Sequence, residues 1–364
     1  MDNTEMITKA DQSRINMQMQ DMLLHAFTHP AEKNCFYSLN GISSSSNKLN
    51  KLAIWDWSPQ SAVQVPGNST CIFPLAVGCR TIIMEDGKEW AEPLFTEEDL
   101  LNRSSLPLPN NDVWEGKSGE LLCAMQKLMT GLKDNEQIRA VDIQSPLGIA
   151  EVICGSGLYT ALLLNPEPIQ ALLQDITSFI IRFINEMRKI CGNRLNGTQF
   201  PYIWNNNEGT LCSDDTLSLL SPAMHEQFSL PWVIKIAQAC GPLFYHSCTW
   251  REEYFENIKK IPNIRAYNWN PGNSVDAKII IREFSGRAVL APHLCAGMHL
   301  TEDTRKWGDF SDEADMLHYM LDCMQHNTSM YFWIGDMQSK PEVLEKMFDL
   351  FDERGFTPQA KVLG

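Results

Sequence analysis

The sequence predicts an α/β fold, a (β/α)8 TIM barrel with an irregular N-terminal helical and β-hairpin extension. Two observations predict it. After about residue 120 short apolar runs alternate with amphipathic segments, the pattern of a parallel sheet with helical crossovers. Several of those runs end in polar residues two apart, which share one face of a strand and converge at the C-terminal rim of a barrel.

Residues 9–29 have helical apolar spacing (Ile15, Met19, Met22, Leu23, Phe27) and stop before Pro30. From 35 to 95 the text is irregular, with short β-like runs such as STCIFPLAV and CRTIIMEDGKEW, the second turning at Asp86-Gly87. TEEDLLN reads as a short helix before a linker. Residues 1–120 are therefore expected to be an extension and cap packed on the barrel, with room for two strands, and 121–364 its main part.

From there the expected order is helix GELLCAMQKLMTGL, strand IRAVDIQSP, long helix PEPIQALLQDITSFIIRFINEMRKI, strand FPYIWNN and helix SPAMHEQFSLPWVIKIAQAC. Strand GPLFYHSC, helix EEYFENIKKI, strand IRAYNWN and helix SVDAKIIIREF follow. Strand GRAVLAPHLC, a helix capped by Ser311, strand SMYFWIGD and a closing helix ending at Gly355 complete it. Six strands are visible between 139 and 336. An open doubly wound sheet is the alternative, but CGSGLY at 154–159 lacks the third glycine of a nucleotide-binding turn.

Composition narrows the function. The 364 residues are 44% hydrophobic and 21% charged, with a formal net charge of −15 and no basic run. Binding to nucleic acid or an anionic membrane needs clustered cations, so neither is expected. No run reaches the ~18 apolar residues of a membrane span. The N-terminus lacks an apolar signal core, and the eleven cysteines are scattered and odd in number. Both point to reduced thiols and a cytoplasmic location.

The chemistry-bearing residues gather at predicted strand ends. His246 and Cys248 lie two apart after GPLFY, and His293 and Cys295 repeat the spacing two strands later in LAPHLC. Imidazole and thiolate are zinc ligands, and three protein ligands with one open position make a catalytic site. The two strands are roughly 10 Å apart, a gap that inward-reaching side chains can span. Each residue also has a bland role, cysteine as a small core hydrophobe and histidine as a strand-end polar group.

Asp214 and Asp215 precede a helix, where they serve as acid, base or polar anchor, or simply favour the helix start. Asp142 and Glu151 flank the strand end DIQSPLGIAE and could supply a fourth ligand or a base. Asn268 and Asn270 face one side as amides for polar substrate groups, and Asp336 ends the last strand.

The segments QSPLGIAEVI, DDTLSLLSPAMHEQFSLPW, GPLFYHSC, NWNPGNSVD and AVLAP together resemble the uroporphyrinogen decarboxylase superfamily over about residues 72–355. That resemblance implies a (β/α)8 barrel and one of two activities. The decarboxylase branch carries an Arg-Gln-Ala-Gly-Arg carboxylate clamp near its N-terminus, whereas this chain has only Arg14 before residue 80. The cobamide-dependent methyltransferase branch carries a His-X-Cys zinc motif completed by a later cysteine, and His246 and Cys248 match its first half. The last strand, SMYFWIGDMQSK, has no cysteine, so Cys295 is expected to complete the set.

The expectation is a zinc-dependent methyltransferase moving a methyl group between a small methyl donor or thiol acceptor and a corrinoid protein. In it His246, Cys248, Cys295 and His293 surround the metal. Asp214, Asp215 and Asn268 are the catalytic group, and Glu151, Asn270 and Asp336 contact substrate. A metal-independent uroporphyrinogen decarboxylase-like lyase and a non-catalytic ligand-binding barrel are the alternatives.

Overall fold

A computed structural model of the chain describes residues 21–40, 62–67, 69–85, 87–133, 136–196, 208–295, 297, 300–335 and 337–356. Its strands are β1 (Asn34–Asn40), β2 (Ala62–Val63), β3 (Thr81–Ile83), β4 (Glu89–Ala91), β5 (Gln137–Arg139), β6 (Leu195–Asn196) and β7 (Thr210–Ser213). β8 (Leu243–Ser247), β9 (Ile264–Trp269), β10 (Val289–Cys295) and β11 (Ser329–Gly335) follow. Six form one sheet in the order β1-β11-β10-β9-β8-β7, and every pairing in it is parallel. A second parallel sheet, β2-β5-β6, approaches it, among the described residues, through a bridge between Gln144 and Ser213.

Both faces of the six-strand sheet are buried, as a parallel sheet requires. Tyr245, Trp269, Leu290, Leu294, Phe332 and Ile334 point to the helices and join the large core. The intervening residues, among them Phe244, Ala266, Ala291, Tyr331 and Trp333, form a second core on the other face. Leu23, Ala26 and Phe27, from the helical residues 21–28, close that core. Phe27 also sits under the Arg265 guanidinium, 5.0 Å from ring centre to carbon, at the start of β9.

Helices cover the outer face because their apolar residues recur every three to four positions. Pro166–Cys191 buries Ile169, Leu172, Leu173, Ile176, Phe179, Ile180, Phe183, Ile184 and Met187. Asn165 and the prolines at its start, and Gly192 at its end, bound it.

Several expectations change. The two strands allowed for in the first 120 residues are β1, paired to β11, and β2, paired to β5, so this part of the chain shares the sheets rather than only packing on them. CRTIIMEDGKEW forms the antiparallel hairpin β3–β4, but STCIFPLAV contains the helix Ile72–Ala76. A short apolar run cannot distinguish the two, and Pro74 in a first helical turn costs little. SPAMHEQFSLPWVIKIAQAC divides into Pro222–Phe228 and Leu230–Cys240, because Pro231 cannot supply an N–H to a continuous helix. Asp312, not Ser311, caps the helix Glu313–Asp322. FPYIWNN lies outside the described residues. No single described helix is long and apolar enough to cross a membrane.

Candidate metal centre

The site is built at the C-terminal ends of β7, β8 and β9. Ser213, His246 and Asn268 are register neighbours on these strands, so their side chains lie in a row on the face away from the helices. Cys248 follows His246 by two residues and continues that face. The ladder runs one residue beyond β7, where the Asp214 N–H donates to the His246 carbonyl at 2.8 Å. The strand ends there: Asp214, at φ −112 and ψ 59, points towards the helices, and Asp215, the first residue of the 3-10 helix Asp215–Leu219, points towards His246.

His246 Nε2 lies 3.3 Å from Cys248 Sγ and 3.4 Å from Asp215 Oδ1. The Cys248 N–H donates to the same Asp215 oxygen at 2.6 Å. One ligand atom from each of the three residues lies within 4.8 Å of the others, and no other such group of histidine, cysteine and acidic residues occurs among the described residues. His246 is buried, while the Asp215 side chain is 41% exposed, so the cluster opens to solvent on one side.

Asn268 sets the histidine tautomer. Its Nδ2 donates to the Ala291 carbonyl, which can only accept, so its Oδ1 faces His246 Nδ1. Nδ1 must therefore carry a proton, and Nε2 is the nitrogen that faces Asp215 and Cys248. Holding the remote nitrogen of a ligating histidine in this way is a recurrent feature of metal sites.

The charges agree. Burial opposes a charge on the His246 ring, but the Asp215 carboxylate and the hydrogen bonds to Asp215 and Cys248 raise its pKa well above the ordinary value. Burial likewise works to raise the Asp215 carboxyl. The His246 charge and the hydrogen bonds from His246 and Cys248 outweigh it and hold the value at about 2. Without a metal the cluster thus pairs the Asp215 carboxylate with a His246 imidazolium, next to Cys248. Asp142 lies within the field of both groups, and burial pushes its carboxyl up to about 6 despite the Gln144 hydrogen bond and the His246 charge.

No family model and no curated relative matches the sequence. Solved structures do. The chain is similar in fold to a methyltransferase from Methanosarcina mazei. The TM-score is 0.57 at 15% identity, over 80% of this chain and 80% of that one. At that identity the likeness shows a shared fold.

The cluster differs from the expected ligand set. His246 and Cys248 are together, but their third partner is Asp215. Cys295 is buried as the last residue of β10, opposite Gly335 of β11, with its sulfur against that glycine. One whole strand, β9, lies between β10 and the β8 end that carries Cys248, and the Cys295 Sγ is outside the group. His293 shares the face, its ring 6.2 Å from that of His246 and edge-on to Trp333 at 5.9 Å, but its nitrogens are outside the group as well.

The expected catalytic and substrate residues also separate. Asp214 is sealed behind the strand. Asn268 is fully buried behind His246, where it orients the ring rather than substrate. The Asn270 side chain accepts from the Gly272 N–H at 2.9 Å and caps a turn. Glu151 accepts from the Tyr159 hydroxyl at 2.7 Å, within its own helical region. Asp336 lies outside the described residues.

Proposed function

We propose that this chain is a zinc-dependent methyltransferase that moves a methyl group between a small donor or thiol acceptor and a corrinoid protein. The observation that carries the reading is the Asp215–His246–Cys248 cluster, with its histidine tautomer held by Asn268, at the strand ends of a methyltransferase-like fold. We read the two parallel sheets, bridged at Gln144 and Ser213, as parts of one (β/α)8 barrel, whose sites lie at that end.

The donor set suits zinc, which accepts nitrogen, sulfur and carboxylate oxygen in one shell and keeps a fourth position open when catalytic. His246 Nε2, Cys248 Sγ and Asp215 Oδ1 would hold it. Bound there, zinc would supply Lewis acidity and favour the thiolate form of an incoming thiol. The protein's own contributions are distinct. Asn268 keeps Nε2 directed at the cluster, and Asp215 holds the Cys248 main chain through its N–H.

The test uses free methylcobalamin in place of the corrinoid protein and a panel of small thiols. The zinc-loaded chain should demethylate it in the presence of a thiol, and His246→Ala should lose at least about 100-fold, at the upper end of metal-site effects. A His246→Ala variant with full activity would overturn the proposal. Decarboxylation of a porphyrinogen that survives chelation would instead favour the metal-independent lyase.

A further inference from the structure

We infer that Asp214 is a positioning residue for the cluster, setting Asp215 and His246 from the helix side of the sheet. The inference rests on the reading of Asp215, His246 and Cys248 as a metal centre.

The Asp214 carboxylate is fully buried, yet the Ser145 hydroxyl and four further side-chain donors reach it. His225 Nε2 and the Tyr245 hydroxyl each lie 3.1 Å from Oδ2. The Ser229 hydroxyl donates to Oδ1 at 3.0 Å, and the Thr216 hydroxyl to the same oxygen at 3.4 Å. These donors come from a helix, the junction between two helices, β8 and the turn after β7. A buried charge is tolerated when its lone pairs are filled in this way.

The network has one consistent proton arrangement. Asn257 Nδ2 donates to the Pro222 carbonyl at 2.8 Å, so the amide nitrogen also faces His225 Nδ1, 3.2 Å away. Nδ1 is then the acceptor, the His225 proton sits on Nε2, and it points at Asp214. His225 thereby connects the helix layer to the sheet.

Its reach into the site follows from sequence adjacency. Asp214 immediately precedes Asp215, Tyr245 immediately precedes His246, and the Asp214 N–H bonds the His246 carbonyl. The hub therefore grips both main-chain segments that carry ligand atoms. Fixing Asp214 and Tyr245 fixes the main chain from which Asp215, at the start of the 3-10 helix, and His246, on β8, project. Such support matters because ligand constellations tolerate displacements of only about 0.5 Å.

Cobalt(II) binding to the full chain tests this, read by its d–d bands and by the thiolate-to-cobalt charge-transfer band. Wild type should bind one ion with the charge-transfer band present. Asp214→Asn should bind about 10–100-fold more weakly with altered d–d bands, the range seen when outer-shell partners of metal ligands are removed. Tyr245→Phe combined with Ser229→Ala removes two donors but keeps the carboxylate, and should lose about tenfold. This double variant carries the test if Asp214→Asn does not fold. Wild-type affinity and spectrum in a folded hub variant would overturn the inference.

Failure of wild type to bind cobalt would instead refute the metal reading. Site-resolved alkylation of Cys248 in the metal-free chain then decides the positioning role. The hub variants should shift its rate towards that of His246→Gln, and an unchanged rate would overturn the inference.

Discussion

Replacing Asn268 with leucine, the nearest apolar shape, should damage folding and metal binding separately. In the folded chain the amide oxygen accepts from His246 Nδ1–H, and the amide nitrogen donates to the Ala291 carbonyl. All three residues are buried, so water cannot replace either bond. Leaving a buried donor or acceptor unpaired costs about 1–3 kcal/mol. With the imidazole N–H stripped and the carbonyl losing one donor, the loss should be about 2–4 kcal/mol. That is a large part of the ~5–15 kcal/mol that holds a typical domain folded.

The ring would also lose its fixed tautomer, and zinc affinity should fall about 10–100-fold. Asn268→Asp keeps an acceptor at Nδ1 and should retain affinity better than leucine does. Urea unfolding of the metal-free chain reads the first effect, and competition with a chromophoric chelator at constant pH reads the second. A leucine variant matching wild type in both measurements would refute the role assigned to Asn268.

Asp215→Ala should weaken zinc by about 100-fold or more, whereas Cys295→Ser should leave affinity unchanged; the same competition assay separates them, and the reverse order would restore the two-cysteine site. Zinc binding at pH 7 should expel the proton that the raised pKa keeps on His246, so affinity should weaken as pH falls. Calorimetry in buffers of different ionisation enthalpy counts the protons released; wild type should release one more than His246→Gln, and an equal count would contradict the assignment. Glu313 is fully buried, accepting from Lys340 Nζ at 2.7 and 2.9 Å and from the Gly297 N–H at 2.7 Å. Burial acts to raise its carboxyl, but the Gly297 N–H and Lys340 outweigh this and lower it. Its stabilisation should be complete above the ordinary glutamate pKa and lost as pH falls through the lowered one. The melting-temperature gap between wild type and Glu313→Gln should therefore narrow on acidification, and a gap that widens would reverse the sign argued here.

The parts of the site that could be read from sequence were those within one strand. A spacing of two puts His246 and Cys248 on one face whatever the strand pairs with, and the same rule correctly placed His293 and Cys295 on a shared face. It could not say which neighbouring strand would meet them. That depends on register, which brings Asn268 beside His246 and sends Cys295 to Gly335. Asp214 and Asp215 also point to different sides, but choosing the one at the site required knowing that a 3-10 helix starts at Asp215, directly after β7 ends at Ser213. That four-residue strand, TLCS, sits in polar text without an apolar run to reveal it. The Asp214 hub was hidden for a similar reason, since His225, Ser229, Tyr245 and Asn257 meet only after the helices pack on the sheet. Long periodic segments such as Pro166–Cys191 were legible because their apolar spacing alone defines a buried face.

X-ray absorption at the zinc edge of the loaded full-length chain tests the central claim most directly. One zinc per chain should show a single sulfur neighbour at about 2.3 Å with nitrogen and oxygen neighbours at about 2.0–2.2 Å. The sulfur should disappear in Cys248→Ser. Two sulfur neighbours, a sulfur that persists in Cys248→Ser, or a chain that holds no stoichiometric zinc would contradict the Asp215–His246–Cys248 centre.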